Sequence, residues 1–330
     1  MNKDSIIPDF IVVDGHNLAY KQFHALHQFS SADGKPIGVI MGMTRSMVAF
    51  QKAFPNTHII TCFDNQGIKN KREFCPEYKT NRVTRNHAFY AQLNVMKGML
   101  PMLGISTVSL VGYEADQLVA SYVKQLPGKK LIISDDKDLA QCVSKDVRLY
   151  QRPGKKWVQV DENDVLQKYG VQPKDINTLL ALSGDKVDCI PGIHGIGPAY
   201  ARELINRFGN IHNIFRSEEV KTDPRFNSVL TEENYNKAQN YLKLTTLPGD
   251  VTIPHLSKPI SDPDSAMHIL NHYGLKLAGA SLKSLFPDHN FQPLPDEKKA
   301  QVNKIIRDEI YMLTSEEPPT PNDAWRRLER

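Results

Sequence analysis

Phe10-Ile-Val-Val13 is a short apolar run that stops at Asp14-Gly15, and the chain repeats this arrangement. His58-Ile-Ile-Thr-Cys-Phe63 leads into Asp64, and Lys130-Leu-Ile-Ile133 leads into Ser134-Asp-Asp-Lys-Asp138. Unbroken apolar runs of this length, closed by polar turns, read as strands buried on both faces. Ile105-Ser-Thr-Val-Ser-Leu-Val111 is a further strand, and helical patterns over Val39–Ala53, Asn86–Leu103 and Gln117–Gln125 fall between. Strands alternating with helices predict an α/β fold with a central, mainly parallel sheet flanked by helices. Such sheets bind ligands at the carboxyl ends of their strands.

Asp14, Asp64, Glu114, Asp116, Asp136 and Asp138 all fall at that edge on this reading. Glu114 and Asp116 enter through Gly112-Tyr-Glu-Ala-Asp116, in the first turn of a helix. One acid there is an ordinary helix cap. Six at one edge repel one another unless a cation neutralises them. Asp135 is expected to face away from Asp136 if the strand persists that far.

A second chemistry sits in Ser183-Gly-Asp-Lys-Val-Asp-Cys-Ile-Pro-Gly-Ile-His-Gly-Ile-Gly-Pro198. Asp185 and Asp188 are three apart, which places two carboxylates on one helix face or turn. Oxygen-only ligands favour a hard ion such as magnesium or manganese. Gly192-Ile-His-Gly-Ile-Gly197 then forms a hairpin that runs through Pro198 into a helix over Ala199–Arg207, which carries Arg202. Proline suits a first helical position. Glycines let backbone N–H groups approach an anion, and a helix start favours negative charge. The spacing G-x-x-G-x-G differs from the dinucleotide fingerprint. Cys189 reads as a packing residue.

Lys145–Val160 predicts a hairpin turning at Arg152-Pro-Gly-Lys155, and Asp161–Tyr169 and Pro173–Leu182 read as helices. Short helical patterns follow at Tyr235–Leu242, Ser265–Tyr273 and Leu275–Leu285. The tail from Asn290 holds one amphipathic segment, Asp296–Leu313, before Pro318-Pro-Thr-Pro321, and its proline spacing suggests a loosely attached element of unknown role.

With 330 residues, 40% of them hydrophobic and 24% charged, the chain has the composition of a soluble globular protein of two domains or one with an appendage. No apolar run approaches the roughly 18 residues of a spanning helix. The polar Met1–Pro8 lacks a signal-peptide core. Cys62, Cys75, Cys142 and Cys189 lack C-x-x-C spacing, which argues against a zinc site and for a reducing, cytoplasmic setting. Net charge is only +4. Between Asn65 and Lys97, however, Lys69, Lys71, Arg72, Lys79, Arg82, Arg85 and Lys97 face only Glu73 and Glu77, the footprint of a phosphate-backbone contact.

Taken in order, Asp14, Phe63-Asp64, Pro76-Glu-Tyr-Lys-Thr-Asn-Arg82, Gly112-Tyr-Glu-Ala-Asp116, Ile133-Ser-Asp-Asp-Lys-Asp138 and Ser183–Pro198 follow the motif order of 5′ nucleases. The chain resembles the flap endonuclease family, which includes bacteriophage 5′–3′ exonucleases and the 5′-nuclease domains of bacterial repair polymerases, over roughly Ile11–Ser284. The resemblance implies a PIN-like nuclease core at 1–180 with a helical arch about 66–97. It implies a helical DNA-binding subdomain at 181–289 with a helix–hairpin–helix motif, and leaves 290–330 as an appended tail. One metal site would draw on Asp14, Asp64, Glu114 and Asp116, and a second on Asp136, Asp138, Asp185 and Asp188, each holding Mg2+ or Mn2+. Lys79 and Arg82 would meet the scissile phosphate, with Asp14, Asp64 and Asp136 in the catalytic set. Lys71, with Arg72 after it, stands where the family carries a further arginine. Tyr20 matches an aromatic that stacks on the base beside the cut, against the alternative of a core-packed tyrosine. Gly192, Gly195, Gly197 and Arg202 would grip duplex backbone, with a potassium ion at the hairpin carbonyls.

The implied activity is cleavage of DNA at 5′ flaps, nicks, gaps or 5′ ends, in primer removal, by a monomer that meets replication proteins. RNA–DNA hybrids are a further expected substrate. Gln117 departs from the pattern, since many members carry an acid there, and it favours the alternative of a non-catalytic DNA-structure-binding protein. A dehydrogenase-type nucleotide site is disfavoured, because Asp14-Gly-His-Asn17 stands where G-x-G-x-x-G would follow the first strand.

Overall fold

The structure is a computed structural model and describes residues 5–65, 75–80, 87–152 and 157–314, with side chains to 307. Lys71, Arg72 and Arg82, most of the expected arch and the tip of the expected hairpin at 153–156 lie outside the described residues. Contacts divide the chain into two compact units, neither continuous in sequence.

One unit comprises Ile7–Asn65, Thr84–Val111 and Pro254–Arg330. Its strands β1 (Phe10–Asp14), β2 (His58–Cys62) and β3 (Ser106–Val108) run parallel in the order β3-β2-β1. Ile11, Val12 and Val13 are fully buried, as a parallel strand covered on both faces requires. β3 is shorter than the expected 105–111, because its last residue, Val108, already stands opposite Cys62, the end of β2. Helix Gly15–Ala25 was not foreseen. It starts at once from Asp14, whose Oδ1 accepts the Asn17 N–H at 3.0 Å, and its polar first turn carries no apolar period. Helices Gly38–Ala53, His87–Met99, Pro263–His272 and Lys276–Leu285 follow the expected patterns within a few residues. The expectation of a loosely attached tail fails over the described residues. Helix Asp296–Thr314 packs along His87–Met99, with Val302 and Ile306 buried.

The other unit comprises Met1–Ile6, Gln66–Val83 and Gly112–Ile253. β4 (Lys130–Ile133) pairs parallel with β5 (Val147–Gln151), which pairs antiparallel with β6 (Val158–Val160), as the hairpin reading required. Helices Ala115–Gln125, Glu162–Tyr169, Ile176–Ser183, Pro198–Phe208 and Glu232–Thr245 match the sequence patterns. Ile211–Arg216 and Glu218–Thr222 are additional. Both are too short to show a helical period, and only their caps Asn210 and Ser217 announce them. Strand pairing is thus mainly parallel and flanked by helices. Among the described residues no helix is long and apolar enough to cross a membrane.

Candidate metal centre

Three short pieces of backbone carry the acids of the second unit's cluster. Glu114 is the N-cap of helix Ala115–Gln125, and Asp116 lies in its first turn. Beyond β4, the Ser134 hydroxyl accepts the Asp136 N–H, and Asp136 Oδ1 accepts the Asp138 N–H at 3.0 Å. This nested turn leads into a 3-10 helix at Asp138–Cys142 and leaves Asp135 exposed, although β4 stops at Ile133 and the strand on which that expectation was conditioned does not reach it. Asp185 and Asp188 sit on a tight turn closed by Asp185 and Ile190, which exchange N–H···O bonds of 2.8 Å. Asp185 Oδ1 also accepts the Val187 N–H at 2.9 Å, and Cys189 takes a left-handed conformation (φ 56°) to close the turn.

Asp138, Asp185 and Asp188 are all buried and each offers a carboxylate oxygen within 4.8 Å of the others. Asp138 Oδ1 is buried without a hydrogen-bond partner among the described residues. Burial, followed by repulsion from Asp136, Asp185, Asp188 and Asp116, pushes the Asp138 carboxyl up to about 8. Two lysines offset part of the charge. Lys79, only 4% exposed, places Nζ 2.6 Å from Glu114 Oε1 and 3.6 Å from Asp188 Oδ2. Lys137 Nζ lies 2.6 Å from Asp185 Oδ1. Burial works against the Lys137 charge, yet Asp185, Asp138 and Asp136 together raise its pKa. Tyr78 donates towards Glu114 Oε2 and Asp188 Oδ2, both at 3.3 Å, from an apolar cluster with Cys75, Ile190 and Leu244. Lys79 pays in backbone strain for its place (φ 53°), and its N–H is held by the Asp188 carbonyl at 3.0 Å.

Among the described residues, six acids thus stand with Lys79 and Lys137, and the donor set is all oxygen. A partnerless buried carboxylate oxygen amid mutually repelling acids fits a hard divalent cation. The sequence foresaw all six acids. It missed Tyr78 and Lys137, although Lys137 stood among Asp135, Asp136 and Asp138. Gln117, read as a lost charge, turns back to the helix start, where its Oε1 accepts the Glu114 N–H at 3.0 Å.

In the first unit, Asp14 and Asp64 stand at the carboxyl ends of the neighbouring parallel strands β1 and β2. Asp64 donates its N–H to His16 Nδ1 at 2.9 Å, which fixes the neutral imidazole as acceptor there. Lys97, on helix His87–Met99, places its ammonium 5.0 Å from the Phe63 ring centroid. Burial lowers Lys97 to about 8, with Asp64 pulling the other way. The sequence counted Lys97 only within the basic stretch and did not single out His16, because neither lies in a motif that names an acid partner; the structure places Lys97 over Phe63 instead.

Tyr20 is 56% exposed on helix Gly15–Ala25, with its ring edge-on to His24 (4.4 Å) and Phe89 (5.5 Å). The core-packed alternative is therefore excluded. Gly192 (φ 71°) is pressed against residue 184, where a Cβ on it would overlap the backbone N of Gly184. Gly195 (φ 88°) lies at the exposed hairpin tip, and Gly197 is the N-cap before Pro198. Arg202 is half-buried, its side chain lying over Gly170 where a Cβ would otherwise stand.

Comparison with known proteins agrees with this geometry. A family model for the 5′-3′ exonuclease N-terminal resolvase-like domain matches residues 9–170, and one for the 5′-3′ exonuclease C-terminal SAM fold matches 171–265. A 5′-3′ exonuclease of Aquifex aeolicus is 31% identical over 84% of this chain and 93% of its own length. DNA polymerase I of Rhizobium leguminosarum is 30% identical over 73% of this chain, which spans only 25% of that protein. Among solved structures, T5 5′-exonuclease with bound zinc superposes with a TM-score of 0.61 at 20% identity, covering 84% of this chain and 98% of that one. The catalytic core of Rad2 in complex with DNA substrate superposes with a TM-score of 0.56 at 18% identity, covering 87% and 94%. These two likenesses establish the fold. With both domain models matched in order across residues 9–265, the chain belongs to the 5′-3′ exonuclease family and is a nuclease of that family.

Proposed function

We propose that the protein is a divalent-metal-dependent, structure-specific 5′ nuclease that hydrolyses DNA phosphodiesters at 5′ flaps, nicks, gaps and 5′ ends and leaves 5′-phosphates. The observation that carries this is the buried, partnerless Asp138 oxygen within the Asp138–Asp185–Asp188 group. The proposed ligand sets are Asp14, Asp64, Glu114 and Asp116 for one ion, and Asp136, Asp138, Asp185 and Asp188 for the other. Two bound magnesium or manganese ions about 3.5–4 Å apart would activate water and neutralise the leaving oxygen. Lys79, already stripped of most water beside Glu114, and Arg82 meet the scissile phosphate. An Arg fork suits a bidentate contact there, and a lysine a point contact. Asp136 orients Asp138 through its N–H bond, and His16 orients Asp64 in the same way.

The exposed Tyr20 ring offers a stacking surface for the base beside the cut, worth about 1–3 kcal/mol per base. Lys71 and Arg72 extend the cationic path for a free 5′ end. Gly192, Gly195, Gly197 and Arg202 belong to the duplex-gripping hairpin, with potassium as its proposed ion. The proposed functional segments are a nuclease core at 1–180, a duplex-binding part at 181–289 and the tail at 290–330. Primer removal in the cytoplasm, monomeric action, contact with replication proteins and cleavage of RNA–DNA hybrids complete the reading.

The test offers a 5′-flap, a nicked duplex and an RNA–DNA hybrid, each with magnesium or with chelator. Magnesium-dependent 5′ cleavage of the flap is the expected result. Tight DNA binding without cleavage would replace the proposal with a non-catalytic DNA-structure-binding role.

A further inference from the structure

Helix Asp296–Thr314 begins 31 residues beyond 265, where the second family model ends. It is nonetheless built into the first unit. Lys298 Nζ meets Asp262 Oδ2 at 2.8 Å, and Asn303 Oδ1 meets His268 Nε2 at 2.9 Å. Just ahead of the helix, His289 Nε2 and the Gln292 N–H both reach Asp264 Oδ1, at 3.0 and 2.9 Å. Its apolar face lies along helix His87–Met99. There Ile305 stands on Gly98, and a Cβ at 98 would come within 2.9 Å of both Cδ1 and Cγ2 of Ile305. Glycine at 98 is thus explained by close approach.

Helix His87–Met99 is also tied to Gly38–Ala53. Ile37 offers no side-chain cap to that helix, and Gln92 Oε1 accepts the Val39 N–H at 2.8 Å instead. Thr44 Oγ1 lies 3.8 Å from Met96 Sδ. The residue adjoining Gly98 is Lys97, whose ammonium lies over Phe63 and in the field of Asp64. The C-terminal helix therefore bears on the one turn that carries this lysine.

We infer that the C-terminal helix is a positioning element of the nuclease site: Ile305, seated on Gly98, fixes the last turn of helix His87–Met99 and with it Lys97 beside Asp64. This rests on the reading of Asp64 as part of the metal centre. Ile305 touches neither substrate nor metal and acts through Gly98 and Lys97. A misplacement of about 1 Å at such a distance from the chemistry costs as much as about a hundredfold in rate.

The test compares full-length Ile305→Ala, Ile305→Leu, Gly98→Ala and Lys298→Ala with the parent protein. Steady-state cleavage of 5′-flap DNA, thermal melting, and NMR of 13C-methylated lysines are measured, with the Lys97 signal assigned from Lys97→Arg. Ile305→Ala should lower kcat about tenfold with KM changed less than about twofold, and should move the Lys97 resonance. Ile305→Leu should restore most of both. Gly98→Ala should act in the same direction and be relieved by Ile305→Ala in the double variant. Lys298→Ala, at an exposed latch, keeps the test alive if the buried variants fold poorly, and should give the same changes at smaller size. Lowered melting temperatures with kcat and the Lys97 resonance unchanged would overturn the inference. If the parent protein does not cleave, the nuclease reading fails on its own, and the Lys97 resonance still decides whether the helix positions that turn.

Discussion

Two regions of the same unit are dense in charge, and they handle it in opposite ways. On the surface, Arg225 binds Asp223 (2.7 Å) and Glu203 (2.9 Å), while Arg207 meets Glu203 and Glu219. Every charge there has a protein partner. Hydrogen bonds from Arg225 hold Asp223 and Glu203 below the usual carboxylate range, so both stay ionised without help. At the carboxyl end of β4 the balance is reversed. Among the described residues, two lysines are seen against the six acids, burial and mutual repulsion raise Asp138, and one of its oxygens has no hydrogen-bond partner. Charge balanced within the chain is structural. Charge left in excess and out of water points to a cation from outside.

That contrast is broken most directly at the buried cluster. Asp185→Asn should reduce flap cleavage by at least about a hundredfold while DNA binding in calcium is retained, because it removes a ligand without unseating the Asp185–Ile190 turn. Parent-like turnover in that variant would remove Asp185 from the centre. Next in size is Lys79→Ala in the metal-free protein. It strips the cation from the buried Glu114 and should cost about 3 kcal/mol in chemical denaturation, part of which magnesium recovers.

The metal-free protein should also lose stability as pH rises. Asp138 has an ordinary value of 3.8 and a folded value of about 8. Below about pH 4 the carboxyl is protonated whether folded or unfolded, so it contributes nothing. Between these values the unfolded chain releases the proton while the folded one retains it, so folding becomes less favourable up to about pH 8. Melting curves from pH 4.5 to 8 with chelator should show this decline, flattened in Asp138→Asn. A stability that rises over the same range would contradict the assignment.

Gly195→Val sharpens the comparison at a third, uncharged place. The left-handed φ of 88° and the nearby Val229 make the substitution strained, and duplex binding at low salt should weaken about tenfold. Arg225→Ala should be the mildest. An exposed, well-satisfied pair contributes little, so cleavage should stay within about twofold of the parent and melting should shift slightly. A large loss of activity there would mean that the surface network is part of substrate binding.

Much of this was legible in the chain because burial on both faces writes itself as an unbroken apolar run. Phe10–Val13 and Lys130–Ile133 could hardly be anything but strands, and the acids that follow them are placed by covalent connection alone. Asp185 and Asp188 were foreseen from spacing and Asp138 from the strand end that it follows, and the structure brings the three together. Tyr78 and Lys137 were not, since a hydroxyl or ammonium between two acids depends on tertiary geometry that no local pattern encodes. The cap made by Gln117 was hidden for a similar reason. Counting charges showed an acid missing, whereas its side chain caps the helix that presents Glu114. Helix Gly15–Ala25 escaped because Gly-His-Asn opens it without an apolar stripe, its start being set by Asp14 instead. The tail helix was read from its period, but its seat on Gly98 could not be, because a glycine needed for close approach looks like any other glycine in sequence.

The central claim is that the cluster is completed by a divalent ion that replaces a proton on Asp138. Calorimetric titration of the metal-free protein with magnesium at pH 7, in buffers of different ionisation enthalpy, counts that proton directly. The account predicts release of about one proton per protein, abolished in Asp138→Asn. Magnesium binding with no proton release, or the same release in Asp138→Asn, would contradict it.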